Sequence, residues 1–135
     1  MDATLTTVDG QSLTLASLRG KQVVIVFWAS WSEPSRKALA GLKAVRDEFA
    51  PGGRVEFIAA SVDDEADSLR EAVASVPAGF TPVRLAMGER VAVIEAFEVG
   101  TLPAVLVLGP DGRVVARNLE AGRLRDLLRQ ELAGH

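Results

Sequence analysis

Two apolar runs, "QVVIVFW" (Gln22 to Trp28) and "RVEFIAASV" (Arg54 to Val62), enclose a segment of helical periodicity, and this arrangement constrains the fold more than any other feature of the chain. The first run is β-branched and lacks polar alternation, as a strand does when both of its faces are covered. It is expected at the centre of a sheet. Between the runs, Leu39, Leu42, Val45, Arg46 and Phe49 recur at three- and four-residue spacing and describe one amphipathic helix that ends at Pro51-Gly52-Gly53. After the second run, Leu69, Ala72, Val73 and Val76 repeat the helical spacing. A strand-helix-strand-helix order is that of a parallel sheet with crossover helices.

The remaining segments complete a mixed sheet. Thr4 to Thr7 and Gln11 to Leu15 flank Asp9-Gly10, a turn dipeptide, and read as an N-terminal hairpin. "RVAVIEAFEV" (Arg90 to Val99) reads as a short helix. Ala104 to Leu108 and Arg113 to Ala116 bracket Gly109-Pro110-Asp111-Gly112 and make an antiparallel pair. Leu124, Leu127, Leu128 and Leu132 give an amphipathic closing helix. The expected fold is α/β, a mixed central β-sheet with helices on both faces and an N-terminal β-hairpin. One domain over residues 1–135 is expected, since a chain of this length buries about two-thirds of its unfolded surface without staples.

Composition removes several function classes. Fifteen Lys and Arg against 18 Asp and Glu give a net charge of −3 with no basic cluster, so nucleic acid is not an expected partner. The longest apolar run, Val23 to Ala29, is far short of the roughly 20 residues of a membrane span. The opening "MDATLTTVDG" has neither the basic region nor the apolar stretch of a secretory signal. The chain therefore reads as cytoplasmic as written, and as extracytoplasmic if a leader or anchor was trimmed from it. No cysteine is present, which removes disulfides, thiolate metal sites and cysteine nucleophiles. The one histidine, His135, is the last residue, so neither Ser32 nor Ser35 has a general base for hydrolytic chemistry. Asp63, Asp64, Glu65 and Asp67 stand where the second crossover helix should start, where carboxylates cap amides and complement the dipole. They lack the glycine and terminal glutamate of a calcium loop. No metal or cofactor is expected, and phosphate-loop and Gly-x-Ser-x-Gly motifs are absent.

What remains is the loop "FWASWSEPSRK" (Phe27 to Lys37). Together with "LRGKQVVIV" before it, "FIAASVDDEADSLREAV", "VGTLPAVLVLGPDGRVV" and the closing helix, in this order and spacing, it carries a resemblance over nearly the whole chain. The chain resembles the thioredoxin superfamily, and more closely the TlpA/ResA-like branch of thiol-disulfide oxidoreductases. The resemblance implies a thioredoxin-like fold. It aligns Trp31-Ser32-Glu33-Pro34-Ser35 with the W-C-x-P-C active site, so that Ser32 and Ser35 occupy the positions of the two cysteines. It also implies a cis-proline at Pro103 facing that loop, with Leu102 offering backbone groups to an extended peptide. Trp31, Glu33, Pro34, Leu102 and Pro103 are the binding residues that follow from it.

The chain departs from the family where the chemistry resides. The family needs a thiolate, stabilised by a helix N-terminus, to attack a disulfide, and a second thiol to resolve the mixed disulfide. A serine hydroxyl stays protonated near neutral pH, and oxygen forms no mixed disulfide. Relatives also carry an acidic or polar residue beneath the motif or a glutamate three residues past the second cysteine; Val26 and Ala38 stand there in this chain. Ser32 or Ser35 is then left to cap the helix, Trp28 to pack in the core and Trp31 to meet a partner. Three readings follow: a redox-inert, monomeric module that binds a protein or an extended peptide at the motif face; an oxidoreductase whose two cysteines have been exchanged for serine; and a structural module of a larger protein. The protein as given is expected not to accelerate the reduction of insulin disulfides by dithiothreitol. Turnover above the uncatalysed rate, followed by turbidity, would contradict this.

Overall fold

In the computed structural model, which describes residues 4–7, 11–29, 32–62, 76, 80–85 and 87–133, the run Gln22–Trp28 forms a strand with every residue buried. It is β3 of a sheet whose other strands are β1 (Thr4–Thr7), β2 (Ser12–Thr14), β4 (Val55–Ser61), β5 (Phe80–Arg84), β6 (Ala104–Leu108) and β7 (Val114–Arg117). Among the described residues the order across the sheet is β2-β1-β5-β4-β3-β6-β7. β3 pairs parallel to β4 and β4 parallel to β5, as the crossover pattern requires. β6 joins β3 antiparallel, β7 joins β6 antiparallel, and the hairpin of β1 and β2 attaches antiparallel to β5. The helices are α1 (Glu33–Gly41), α2 (Lys43–Phe49), α3 (Met87–Phe97) and α4 (Ala121–Ala133).

Alternation along β3 explains why its sequence has no polar positions. Val23, Ile25 and Phe27 enter one apolar cluster with Val93 and Phe97 of α3, Leu5 and Leu15. Val24, Val26 and Trp28 enter the other, with Leu39, Val45 and Phe49 of the α1–α2 segment and Leu124 and Leu128 of α4. Each fully buried large side chain contributes about 1.5–3 kcal/mol relative to exposure, so both faces of one strand anchor the two halves of the core. Ala60 and Val83 continue the first cluster across β4 and β5, and Phe57 and Phe80 the second, with ring centroids 5.5 Å apart.

Three elements differ from their sequence-based expectation. The first crossover helix is interrupted at Leu42, whose N–H is shared between the carbonyls of Ala38 and Leu39, both at 3.2 Å. That tightening follows Gly41, a poor helix former, yet Leu39, Leu42, Val45 and Phe49 still reach one cluster. β5 was not foreseen, because Pro82 argues against a strand inside a sheet. It nevertheless pairs parallel with β4, where Pro82 stands beside Ala59, and antiparallel with β1 at Val83 and Arg84. α3 starts earlier than the apolar pattern suggests and stops where Glu98 adopts φ 54, with Val99 N–H returning to the Ile94 carbonyl at 3.0 Å. The turn between β6 and β7 closes through Gly112 at φ 84, whose N–H donates to the Gly109 carbonyl. The Asp9-Gly10 turn, the acidic group from Asp63 to Asp67, the helix expected over Leu69 to Val76 and His135 fall outside the described residues, save Val76. No helix among the described residues is long and apolar enough to cross a membrane.

α2 and α4 are joined at the surface by Glu48. Arg129 donates to both its carboxylate oxygens, at 2.7 and 3.1 Å, and Arg125 adds its charge at 3.2 Å. The Arg129 hydrogen bond lowers the Glu48 carboxyl from its ordinary 4.5, partial burial opposes it, and the charges of Arg129 and Arg125 add to the lowering. A carboxylate depressed in the folded state stabilises above its unfolded pKa, and that contribution is lost as pH falls through the folded value. Glu48→Gln should therefore lower the urea midpoint modestly at neutral pH, and the difference between the two proteins should vanish as the pH is taken well below 4.5. A difference that persists in acid would contradict the linkage.

Candidate functional site

β3 ends at the site. Its backbone runs through Ala29, which is fully buried, and the chain re-enters the described region at Ser32 in extended geometry, φ −100 and ψ 109. Ser32 is the N-cap of α1. Its Oγ accepts from the Ser35 N–H at 3.3 Å, its own N–H donates to the Ala29 carbonyl at 3.1 Å, and its carbonyl accepts the Arg36 N–H. Pro34 occupies the first turn, where a missing N–H has no intrahelical partner to lose. Glu33 places a carboxylate at the positive end of the helix and meets Lys37 at 3.4 Å; both are exposed, so the pair adds little.

The two serines are thus not equivalent. Ser32 caps the helix. Ser35 is completely buried, and its Oγ has no hydrogen-bond partner. A buried hydroxyl left unpaired costs about 1–3 kcal/mol, so Ser35 sits in a space that does not suit an oxygen. Trp28, in the core as its strand position implies, is 1% exposed, and its Nε1 is likewise without a partner. Val26 is fully buried in the cluster beneath α1, and Ala38 is half-buried one turn beyond Ser35. Neither carries a group that moves a proton.

The second strand of the site arrives from β6. Phe27↔Ala104 is the last pair of the β3–β6 ladder, so Pro103 lies alongside the end of β3 from which the motif loop departs. The Leu102–Pro103 peptide bond is cis, and both residues are half-buried. From Gly100 to Pro103 the backbone makes no hydrogen bond among the described residues, and Gly100 and Thr101 are exposed. The tertiary structure therefore brings Ser32, Ser35, Leu102 and Pro103 to one end of the sheet, with Glu33 and Pro34 exposed at the start of α1. Trp31 lies outside the described residues.

One part of this end was not foreseen. A recess beside Leu102 is formed by Val62 at the end of β4, Arg90 and Ile94 of α3, and Val99. The only sequence signal for it is the four-residue spacing of Arg90 and Ile94, which puts them on one helix face. Among the described residues no three His, Asp or Glu side chains gather as a metal site would need.

A family model described as the AhpC/TSA family matches residues 1–117 of the chain. The thiol-disulfide oxidoreductase ResA of Bacillus subtilis (strain 168) is 30% identical over 107 residues, which are 79% of this chain and 58% of that protein. ResA of Bacillus cereus (strain ZK / E33L) is 28% identical over 113 residues, 84% of this chain and 63% of its own length. The chain therefore spans about 58% to 63% of the length of these curated relatives. The crystal structure of the thioredoxin domain of a thiol-disulfide oxidoreductase from Bacteroides vulgatus shares the fold, with a TM-score of 0.86 at 21% identity over 96% of this chain and 92% of that one.

The contrast between the serines is measurable. Ser32→Ala should destabilise the protein by about 0.5–1 kcal/mol, the low end for a lost cap because the 3.3 Å bond is long. Ser35→Ala should stabilise it by about 1 kcal/mol by removing the unpaired hydroxyl. Urea midpoints of the two variants in the opposite order would overturn the assignment.

Proposed function

We propose that this chain, which belongs to the AhpC/TSA family of thioredoxin-like proteins and has ResA thiol-disulfide oxidoreductases among its relatives, is a redox-inert member that binds an extended peptide as a monomer at the motif face. The observation that carries the proposal is the backbone from Gly100 to Leu102, exposed at Gly100 and Thr101, whose donors and acceptors have no partner among the described residues. Such a segment accepts an added strand, with main-chain hydrogen bonds supplying affinity. Glu33 and Pro34 form the opposite bank, and Trp31 on the intervening loop is the aromatic contact. Chemistry does not follow binding, because neither Ser32 nor Ser35 supplies a thiolate and no neighbouring group replaces it.

The test is selection from a displayed library of random linear twelve-residue peptides without cysteine, followed by amide-shift mapping of the winners on the protein. Shifts should centre on residues 32–35 and 100–103. N-methylation of the peptide amide that pairs with this backbone should weaken binding about tenfold, the equivalent of one lost hydrogen bond. Winners whose shifts all fall elsewhere would sink the proposal.

A second reading has one observation in its favour. The buried, partnerless seat of Ser35 suits a thiol, a weak donor that behaves as a small hydrophobe, better than a hydroxyl. It supports an oxidoreductase in which serines stand in for both cysteines. Cysteine codons at positions 32 and 35 of the encoding gene would establish that reading, and serine codons would remove it.

A further inference from the structure

A second recess opens on the face of the sheet that α1 covers. Its volume is about 280 Å³, just under the roughly 300–1,000 Å³ of small-molecule sites, so it suits one long side chain. Its walls are Ala38 and Gly41 of α1, Leu42, Val105 of β6, Leu119, and Ala121 at the start of α4. Leu42 and Val105 belong to the apolar cluster of that face, and Leu119 and Ala121 pack against it. The hollow exists because α1 presents small residues here: a Cβ added at Gly41 would meet no atom within 4 Å.

Glu120 is the one charged residue of the lining. It is exposed, its carbonyl accepts the Leu124 N–H at 2.8 Å, and its carboxylate has no partner among the described residues. Lys37 of α1 is engaged by Glu33 at 3.4 Å, and Arg125 of α4 by Glu48 at 3.2 Å. Arg123, in the first turn of α4, forms no ion pair with Glu120. The positive end of α4 favours the ionised carboxylate. An apolar hollow with an unpaired anion at its edge matches a side chain that has an aliphatic stem and a cationic tip. A carboxylate guest would meet like charge, and a purely aliphatic one would leave Glu120 without a counter-charge. Lysine, a point charge on four methylenes, fits such a hollow better than arginine with its shorter stem and planar head. We infer that this recess is a docking point for a lysine side chain of a partner protein. None of its lining comes from residues 32–35 or 100–103, so the inference stands apart from the peptide-binding reading above.

The experiment uses the full chain with labelled backbone amides and Leu and Val methyl groups. Its probes are acetyl-Gly-Gly-Lys-Gly-Gly-amide, its norleucine and Glu counterparts at the central position, and n-butylammonium chloride. The Lys peptide should shift the methyls of Leu42, Val105 and Leu119 saturably and bind about threefold more tightly than the norleucine peptide, as one exposed ion pair allows. Glu120→Gln should remove that advantage, and Gly41→Leu, which fills the open space, should abolish the shifts; an unchanged amide spectrum elsewhere shows that each variant is folded. Silence of the three methyls with the Lys peptide would overturn the inference. Equal affinity for the Lys and norleucine peptides, or a Lys advantage that survives Glu120→Gln, would overturn the role of Glu120 and with it the choice of lysine. Tighter binding of n-butylammonium than of the Lys peptide would overturn the protein source in favour of a free amine, and tightest binding of the Glu peptide would overturn the charge argument.

Discussion

The burial of β3 on both faces is the constraint from which the rest of the structure follows. Its odd-numbered residues Val23, Ile25 and Phe27 hold α3 to one side of the sheet, and Val24, Val26 and Trp28 hold α1, α2 and α4 to the other. A strand so placed needs partners along both edges, which β4 and β6 provide in parallel and antiparallel register. Its C-terminal end then becomes a fixed point. From there the motif loop leaves toward α1, and beside it Pro103 brings in the chain that becomes β6.

That end of the sheet combines a serine-capped helix start with a cis-proline, in a chain that contains no sulfur nucleophile. The start of α1 is capped by Ser32, and the chain before Pro103 makes no backbone hydrogen bond among the described residues. These features depend on backbone geometry, which serine supports as well as cysteine does. Nucleophilicity depends on the side-chain atom, and there oxygen and sulfur part: a hydroxyl at a helix N-terminus remains a cap, whereas a thiol there becomes a thiolate. The hydroxyl of Ser35 bears on the same end from the stability side, since a buried, strongly hydrogen-bonding group is left there without a partner.

Much of the fold was legible residue by residue. The unalternated run Gln22 to Trp28, the Gly109 to Gly112 turn sequence, and the leucine stripe of α4 each state their own structure, because strand burial, turn chemistry and helix amphipathicity are local patterns. Pro82 hid β5, since a strand that contains proline is fixed by the neighbours β1 and β4 that the fold brings to it rather than by anything near it in the chain. The break at Leu42 was hidden because the apolar spacing from Leu39 to Phe49 carries across it without interruption.

By itself the sequence determined the class of fold, the separation of the core into two faces along β3, and the absence of any thiol, for these depend on side-chain pattern and on which atoms are present. Only the tertiary structure decided that Ser32 is the cap and Ser35 the idle hydroxyl, because both lie in the same turn and differ only in what surrounds them. It alone joined Val62, Arg90 and Leu102 around one recess, since these residues come from separate segments and share no periodicity. It also left the backbone before Pro103 without a partner among the described residues. Whether a polar group finds a partner depends on chain brought from elsewhere, and local pattern carries no record of that.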